Sequence, residues 1–205
     1  MSVAVSSSPV LAKPAPAVPS DYIWRMSVEQ YHAIIQAGIL TEDDQVELLE
    51  GWLIPQMTKN PPHRMAVRLI HDALARLTPV GWYVDAQEPI TLADSEPEPD
   101  ISVVRGDTRQ YWDRHPGAAE VALVIEVADA TLQRDRGIKR SIYARAGIAV
   151  YWIVNLLERR VEVYTEPTAE SANYQQRHDY GLDSAVPVFI DGQQIGVLSV
   201  RELLP

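Results

Sequence analysis

Apolar residues recur along this chain with two distinct periods. Ala66, Leu69, Ile70, Ala73, Leu74 and Leu77 follow the i, i+3, i+4 spacing of one helix face. They predict a helix beginning after Pro61-Pro62. Arg64, Arg68, Asp72 and Arg76 fall on its other side at i+4 spacing, and read as a solvated face rather than a phosphate-binding ridge. A shorter helix is predicted from Ser27, with Gln30 completing a capping box, to about Ala37, where Gly38 ends it. A third is predicted over Arg134 to Ala146, ended by Gly147.

Strand patterns fill the remainder. Gln45 to Gln56 reads as two short strands about the turn signal Glu50-Gly51. Trp82 to Ile90, Asp100 to Arg105 and Val121 to Val127 follow. In the last, alternation puts Val121, Leu123, Ile125 and Val127 on one face and Ala122 and Val124 on the other. Both faces are apolar, which predicts a central strand of a covered sheet. Val150 to Val154 and Arg160 to Thr165 read as a strand pair, and short strands with a turn at Asp191-Gly192 complete the chain. The mixture predicts an α/β fold with one mixed sheet.

Composition narrows the picture. Residues 1–20 hold four prolines among small polar residues. They predict a disordered tail over 1–21, followed by a single domain over 22–205. The chain has no cysteine, which excludes disulfides, zinc–cysteine sites and thiol chemistry. That fits a reducing, cytoplasmic setting. No apolar run approaches the ~20 residues of a membrane span, so no membrane partner is expected. The formal charge is −10, from 28 acidic and 18 basic side chains, which argues against a protein that merely coats nucleic acid. Charge is unevenly placed. Residues 41–50 hold Glu42, Asp43, Asp44, Glu47 and Glu50, whereas Arg134, Arg136, Lys139, Arg140 and Arg145 form a basic run beside Asp135, a candidate guide for a phosphate backbone in an otherwise acidic protein.

Four residues carry candidate chemistry. Glu126 sits near the end of the most apolar strand, where a lone carboxylate is costly unless paired or metal-bound. Asp100 follows Pro99 and opens another strand. If those strands are neighbours, their carboxylates share a site and repel unless a cation lies between them. A hard divalent ion such as Mg²⁺ resolves that repulsion. Lys139 precedes Ile142 and Tyr143 at i+3 and i+4, so it lies at the inner edge of its helix, where it either reaches those strand ends or snorkels to solvent with its stem over apolar surface. Glu47 is either a fourth member or an exposed acid in an acidic run. His63 and Gln87 border the expected cleft, with His63 read as a surface residue in a turn.

Five stretches, in this order and spacing, resemble the Uma-type restriction endonuclease family of the PD-(D/E)XK nuclease superfamily. They are Met26-Ser27-Val28-Glu29-Gln30-Tyr31, Val46-Glu47-Leu48-Leu49-Glu50-Gly51, Pro99-Asp100-Ile101-Ser102-Val103-Val104, Leu123-Val124-Ile125-Glu126-Val127, and Asp135-Arg136-Gly137-Ile138-Lys139 continuing to Tyr151-Trp152-Ile153-Val154. The resemblance implies a restriction-endonuclease-like fold, a mixed central β-sheet flanked by α-helices. It implies a metal-dependent endonuclease acting on DNA with Mg²⁺, or Mn²⁺, as cofactor, and a homodimer cutting two strands. It further implies Asp100, Glu126 and the backbone carbonyl of Val127 as metal ligands, Lys139 as the displaced catalytic lysine and Glu47 as the early acid. Two positions depart from the pattern: Ala128 stands where the superfamily lysine is usual, and Ala128-Asp129-Ala130-Thr131 replaces a Ser-Pro-Ser-like stretch. The alternative is a silent nuclease fold kept for interaction or nucleic-acid binding, and RNA is a further substrate for such a site.

Overall fold

The computed structural model describes residues 23–205, so the predicted tail lies outside the described residues. Helix α1 (Val28–Gln36) begins at the Ser27–Gln30 capping box, with both reciprocal hydrogen bonds present. Strands β1 (Val46–Leu49) and β2 (Trp52–Pro55) pair antiparallel about Glu50-Gly51. Both turn residues take positive φ, 50° and 80°, the geometry of a tight two-residue hairpin turn. Helix α2 (Pro61–Ala75) has Pro61 and Pro62 inside its first turn, where their missing N–H groups cost nothing.

Six strands form the main sheet: β3 (Trp82–Asp85), β4 (Ile101–Arg105), β5 (Val121–Ala128), β6 (Val150–Asn155), β7 (Arg160–Thr168) and β8 (Asn173–Gly181). They lie in sequential order, and β5–β6 is the one parallel pair. A parallel pair needs a crossover. The crossover is a helical segment made of α3 (Leu132–Arg134), a π-helical turn over Asp135–Lys139 and α4 (Arg140–Arg145). A second hairpin, β9 (Ala185–Ile190) and β10 (Gln193–Ser199), leads into α5 (Val200–Leu203).

One sheet face packs Ile101, Val103, Leu123, Ile125 and Trp152 against Ile70 and Leu74 of α2 and against Val186, Val188 and Leu203. The other packs Val124, Tyr151, Ile153, Tyr164 and Tyr174 against Leu49, Ile142 and Tyr143. Every residue of β5 is buried, as a central strand requires.

Three local expectations are corrected. The strand beginning at Trp82 stops at Asp85 rather than Ile90, because Gln87 turns to a φ of 61° and leaves the extended region. Val121 does not share a face with Leu123. A bulge between Val103 and Val104 skips Ala122, so Ala122 joins Leu123 in one core while Val121 joins Val124 in the other. The helix expected over Arg134 to Ala146 is also not continuous, since Gly137 takes φ −102° and ψ −105° inside the π turn.

Candidate active site

The antiparallel register sets Ile101 opposite Ile125, so Asp100 and Glu126 meet at one end of the sheet. Asp100 Oδ2 accepts a hydrogen bond from the Val127 amide at 2.9 Å and lies 3.0 Å from His63 Nε2. A carboxylate only accepts, so Nε2 carries the hydrogen. His63 Nδ1 is buried without a hydrogen-bond partner. The local reason for this placement is the cap of α2. Asn60 accepts from the His63 amide at 3.0 Å, which sets His63 in the first turn, while its own Nδ2 donates to Asp129 at 2.7 Å.

Lys139 arrives from the crossover. The π turn leaves both Asp135 and Lys139 buried on its inner side, next to Ile142 and Tyr143. The ammonium Nζ lies 3.0 Å from Glu126 Oε1 and 3.0 Å from Glu47 Oε2. Tyr143 donates to the same Glu126 Oε1 at 2.7 Å. Glu47 extends from β1, accepts from the Glu98 amide at 3.3 Å and faces Arg134 Nη1 at 3.7 Å. Asp135 accepts from Thr131 Oγ1 at 2.6 Å. Apart from Tyr143, which lies behind Glu126, these groups line one small cleft of about 90 Å³, together with Lys59, Glu98, Asp129 and Val127.

The cleft carries an excess of negative charge. Six acids line it (Glu47, Glu98, Asp100, Glu126, Asp129 and Asp135) against Lys59, Arg134 and Lys139. Burial raises the Glu126 carboxyl; Lys139 opposes the rise, but Asp135, Asp100 and Glu47 add to it, and the result is about 8. Asp135 is raised to about 6 by burial, against the pull of Lys139 and Thr131. Burial also raises the Asp100 carboxyl, yet the His63 contact and the Val127 amide outweigh it and hold Asp100 below the ordinary aspartate range. Burial alone lowers Lys139, but Glu126, Glu47 and Asp135 reverse that effect and fix its proton.

This donor set suits a hard cation. Among the described residues none hydrogen-bonds Asp100 Oδ1 or Glu126 Oε2, although both side chains line the cleft. Three or more His, Asp or Glu side chains do not form a ready-made metal cluster among the described residues. A hard ion of the Mg²⁺ kind needs only one or two carboxylates, completed by waters and substrate phosphate. The surplus anions that raise Glu126 are relieved by such an ion.

The structure therefore brings Asp100, Glu126, Lys139 and Glu47 together. Glu47 is buried rather than an exposed member of the acidic run. His63 is likewise a partner of Asp100 rather than a surface residue; the Asn60-Pro61-Pro62 helix start was its available signal. Tyr143 and Asp135 were also missed, since sequence pattern gives one as packing and the other as an acid among bases. Gln87 lies outside this cleft but donates its amide to the Asp100 carbonyl at 3.2 Å. The basic run does not form a free phosphate guide. Arg134 is held by Glu47 and the Pro55 carbonyl, Arg136 by Glu162 and Glu158, and Arg145 by Glu50 and Asp94, while Arg140 packs over the Tyr164 ring.

No helix among the described residues is long and apolar enough to cross a membrane. No curated protein matches the chain. A crystal structure described as "a putative nuclease belonging to DUF820" from Anabaena variabilis ATCC 29413 is similar, with 16% identity, a TM-score of 0.67, and coverage of 87% of this chain and 97% of that one. At that identity the likeness establishes a shared fold, the one the sequence resemblance implied. The family model described as "Uma2: Putative restriction endonuclease" matches residues 28–197. That match spans most of the chain, and the protein belongs to the Uma2 family of restriction-endonuclease-like nucleases.

Proposed function

We propose that the protein is a Mg²⁺-dependent endonuclease that hydrolyses phosphodiester bonds of DNA. The observation that carries the reading is the meeting of Asp100, Glu126, Glu47 and Lys139 in one cleft, from four separate elements. The unengaged carboxylate oxygens of Asp100 and Glu126, with the Val127 backbone carbonyl, would hold Mg²⁺ or Mn²⁺. When bound, the ion supplies Lewis acidity towards phosphate and water.

The chain's own groups do the rest. Lys139 keeps its proton, so it acts as a donor that holds a water or a phosphate oxygen and offsets developing negative charge. Glu47 and Glu126 aim the ammonium from two sides at 3.0 Å each. Tyr143 fixes the Glu126 carboxylate, and His63 with the Val127 amide fixes that of Asp100. Burial of all four charged groups excludes bulk water and strengthens each of these interactions.

The occupied Glu126 oxygen, already shared by Lys139 and Tyr143, favours a second reading: a silent nuclease fold that binds nucleic acid without cleaving it. Incubating purified protein with plasmid and with single-stranded DNA and RNA, under Mg²⁺, Mn²⁺ or chelator, separates the two. Metal-dependent nicking that vanishes in Asp100→Ala and Lys139→Ala supports the enzyme. Nucleic-acid binding without metal-dependent cleavage supports the silent module, and cleavage confined to RNA moves the substrate. A homodimer, which would place two clefts on opposite strands, belongs to the same reading and is checked by light scattering.

A further inference from the structure

A second cavity runs along the outer side of α2. This groove encloses about 730 Å³ and is lined by Lys59, Arg64, Arg68, His71, Asp72 and Gln87 among others. Lys59 also lines the active-site cleft, so the two hollows adjoin at that residue. Three full positive charges face one acid there, in a protein of net charge −10.

The groove gathers cations that no carboxylate neutralises. Arg105, Arg114, Arg134, Arg136, Lys139, Arg145, Arg160, Arg177 and Arg201 each lie in an ion pair, and the arginines that lie in none among the described residues outside the groove, Arg25, Arg76, Arg109, Arg140 and Arg159, line no part of it. No described residue forms an ion pair with Lys59, Arg64 or Arg68. Arg64 and Arg68 are exposed and stand one helical turn apart, about 6 Å along the axis. A row of unneutralised cations in a groove concentrates field lines and attracts a polyanion.

A second observation sits on the groove wall. Gln87 takes the left-handed conformation, φ 61°, uncommon for a residue with a side chain. Its amide donates to the carbonyl of Asp100 at 3.2 Å, while the residue lines the groove. Backbone strain of this kind persists where the surroundings impose it, often at functional sites. Here it ties the groove wall to the strand end that bears Asp100.

We propose that this groove is the track for the phosphodiester backbone of a nucleic-acid substrate, with Lys59, Arg64 and Arg68 touching successive phosphates and Lys59 marking the point where the strand enters the cleft. The proposal rests on the nuclease reading and names where its substrate lies. The i+4 row along α2, solvated on sequence pattern alone, thereby becomes the wall of a binding surface.

The test is binding without cleavage. Fluorescein-labelled single-stranded DNA, duplex DNA and RNA are titrated with full-length protein in chelator, by anisotropy, across a salt series. Lys59→Ala/Arg64→Ala/Arg68→Ala is expected to weaken binding by about tenfold or more near 0.1 M salt. It should also reduce the slope of log affinity against log salt by roughly 0.7 to 0.9 for each phosphate that the variant no longer neutralises. Arg64→Lys/Arg68→Lys should keep most of the binding, and Arg109→Ala, an exposed cation off the groove, should leave it unchanged. A matching thermal midpoint for the triple variant excludes unfolding.

Unaltered affinity and slope in the triple variant overturn the groove, and Asp100-dependent plasmid nicking would then still leave the nuclease reading standing. Groove-dependent binding by a wild-type protein that never nicks keeps the groove and removes the nuclease reading. Absence of nucleic-acid binding by the wild type, in every arm, overturns the groove outright.

Discussion

Glu126 and Glu162 occupy one row of the sheet. Both register with Ile153, from β5 on one side and β7 on the other, so they project from the same face two strand spacings, about 10 Å, apart. Both are buried. Their surroundings could hardly differ more. Glu162 accepts from Arg136 Nε at 3.0 Å, Asn155 at 3.0 Å and Tyr164 at 2.9 Å, with Arg177 at 3.2 Å. Burial raises it, but those bonds and charges prevail and bring it down to about 2. Glu126 has one ammonium and one hydroxyl against three neighbouring carboxylates, and rises to about 8. A satisfied buried carboxylate serves the fold; an unsatisfied one leaves room for something the chain does not itself supply.

The largest expected difference between the two is in activity. Asp100→Ala and Glu126→Gln should each reduce metal-dependent nicking by roughly 10³-fold or more, the scale of losing groups that place the charge-stabilising ion. Glu126→Gln should do so with the smaller change in stability, because burial and three neighbouring carboxylates already oppose its charged form. Glu162→Gln should invert that result, costing about 2 kcal/mol in urea unfolding by removing the buried charge to which Arg136, Asn155 and Tyr164 donate. Equal destabilisation by the two glutamine variants would erase the contrast.

Next in size is the pH dependence. Glu162 is depressed, so its contribution is full above its ordinary value of 4.5 and is lost as pH falls from there towards 2. Glu126 is raised, so the folded state binds the extra proton between about 4.5 and 8, and its contribution declines as pH rises across that window. Unfolding free energies measured from pH 3 to pH 8 should show Glu162→Gln flattening the acid limb and Glu126→Gln flattening the neutral one. The smallest effect is expected of Tyr143→Phe. It removes one hydrogen bond to Glu126, costing about 1 kcal/mol, and loosens the carboxylate enough to lower nicking several-fold.

Much of this arrangement was legible in the sequence, for local reasons. The Ser27–Gln30 capping box, the Glu50-Gly51 hairpin and the stripe of α2 are set by residues within a few positions of one another, and each forms as the pattern predicts. Asp100 and Glu126 could be paired because strand ends follow from Pro99 and from an apolar run. His63 and Tyr143 depend on partners 37 and 17 residues away along the chain, and Asp135 is turned inward by the π turn, none of which periodicity reports. The basic run misled for the same reason: Glu158 and Glu162, 22 and 26 residues beyond Arg136, neutralise it. The bulge that moves Val121 across the sheet leaves no mark on β5, whose residues are apolar either way.

The placement of Lys139 on the crossover, 13 residues after Glu126, ties the charge balance of the cluster to the topology of the sheet. The segment that carries the ammonium to Glu126 and Glu47 is the same one that joins β5 to its parallel neighbour β6, so pairing of those two strands and delivery of the cation to the carboxylates are a single topological event.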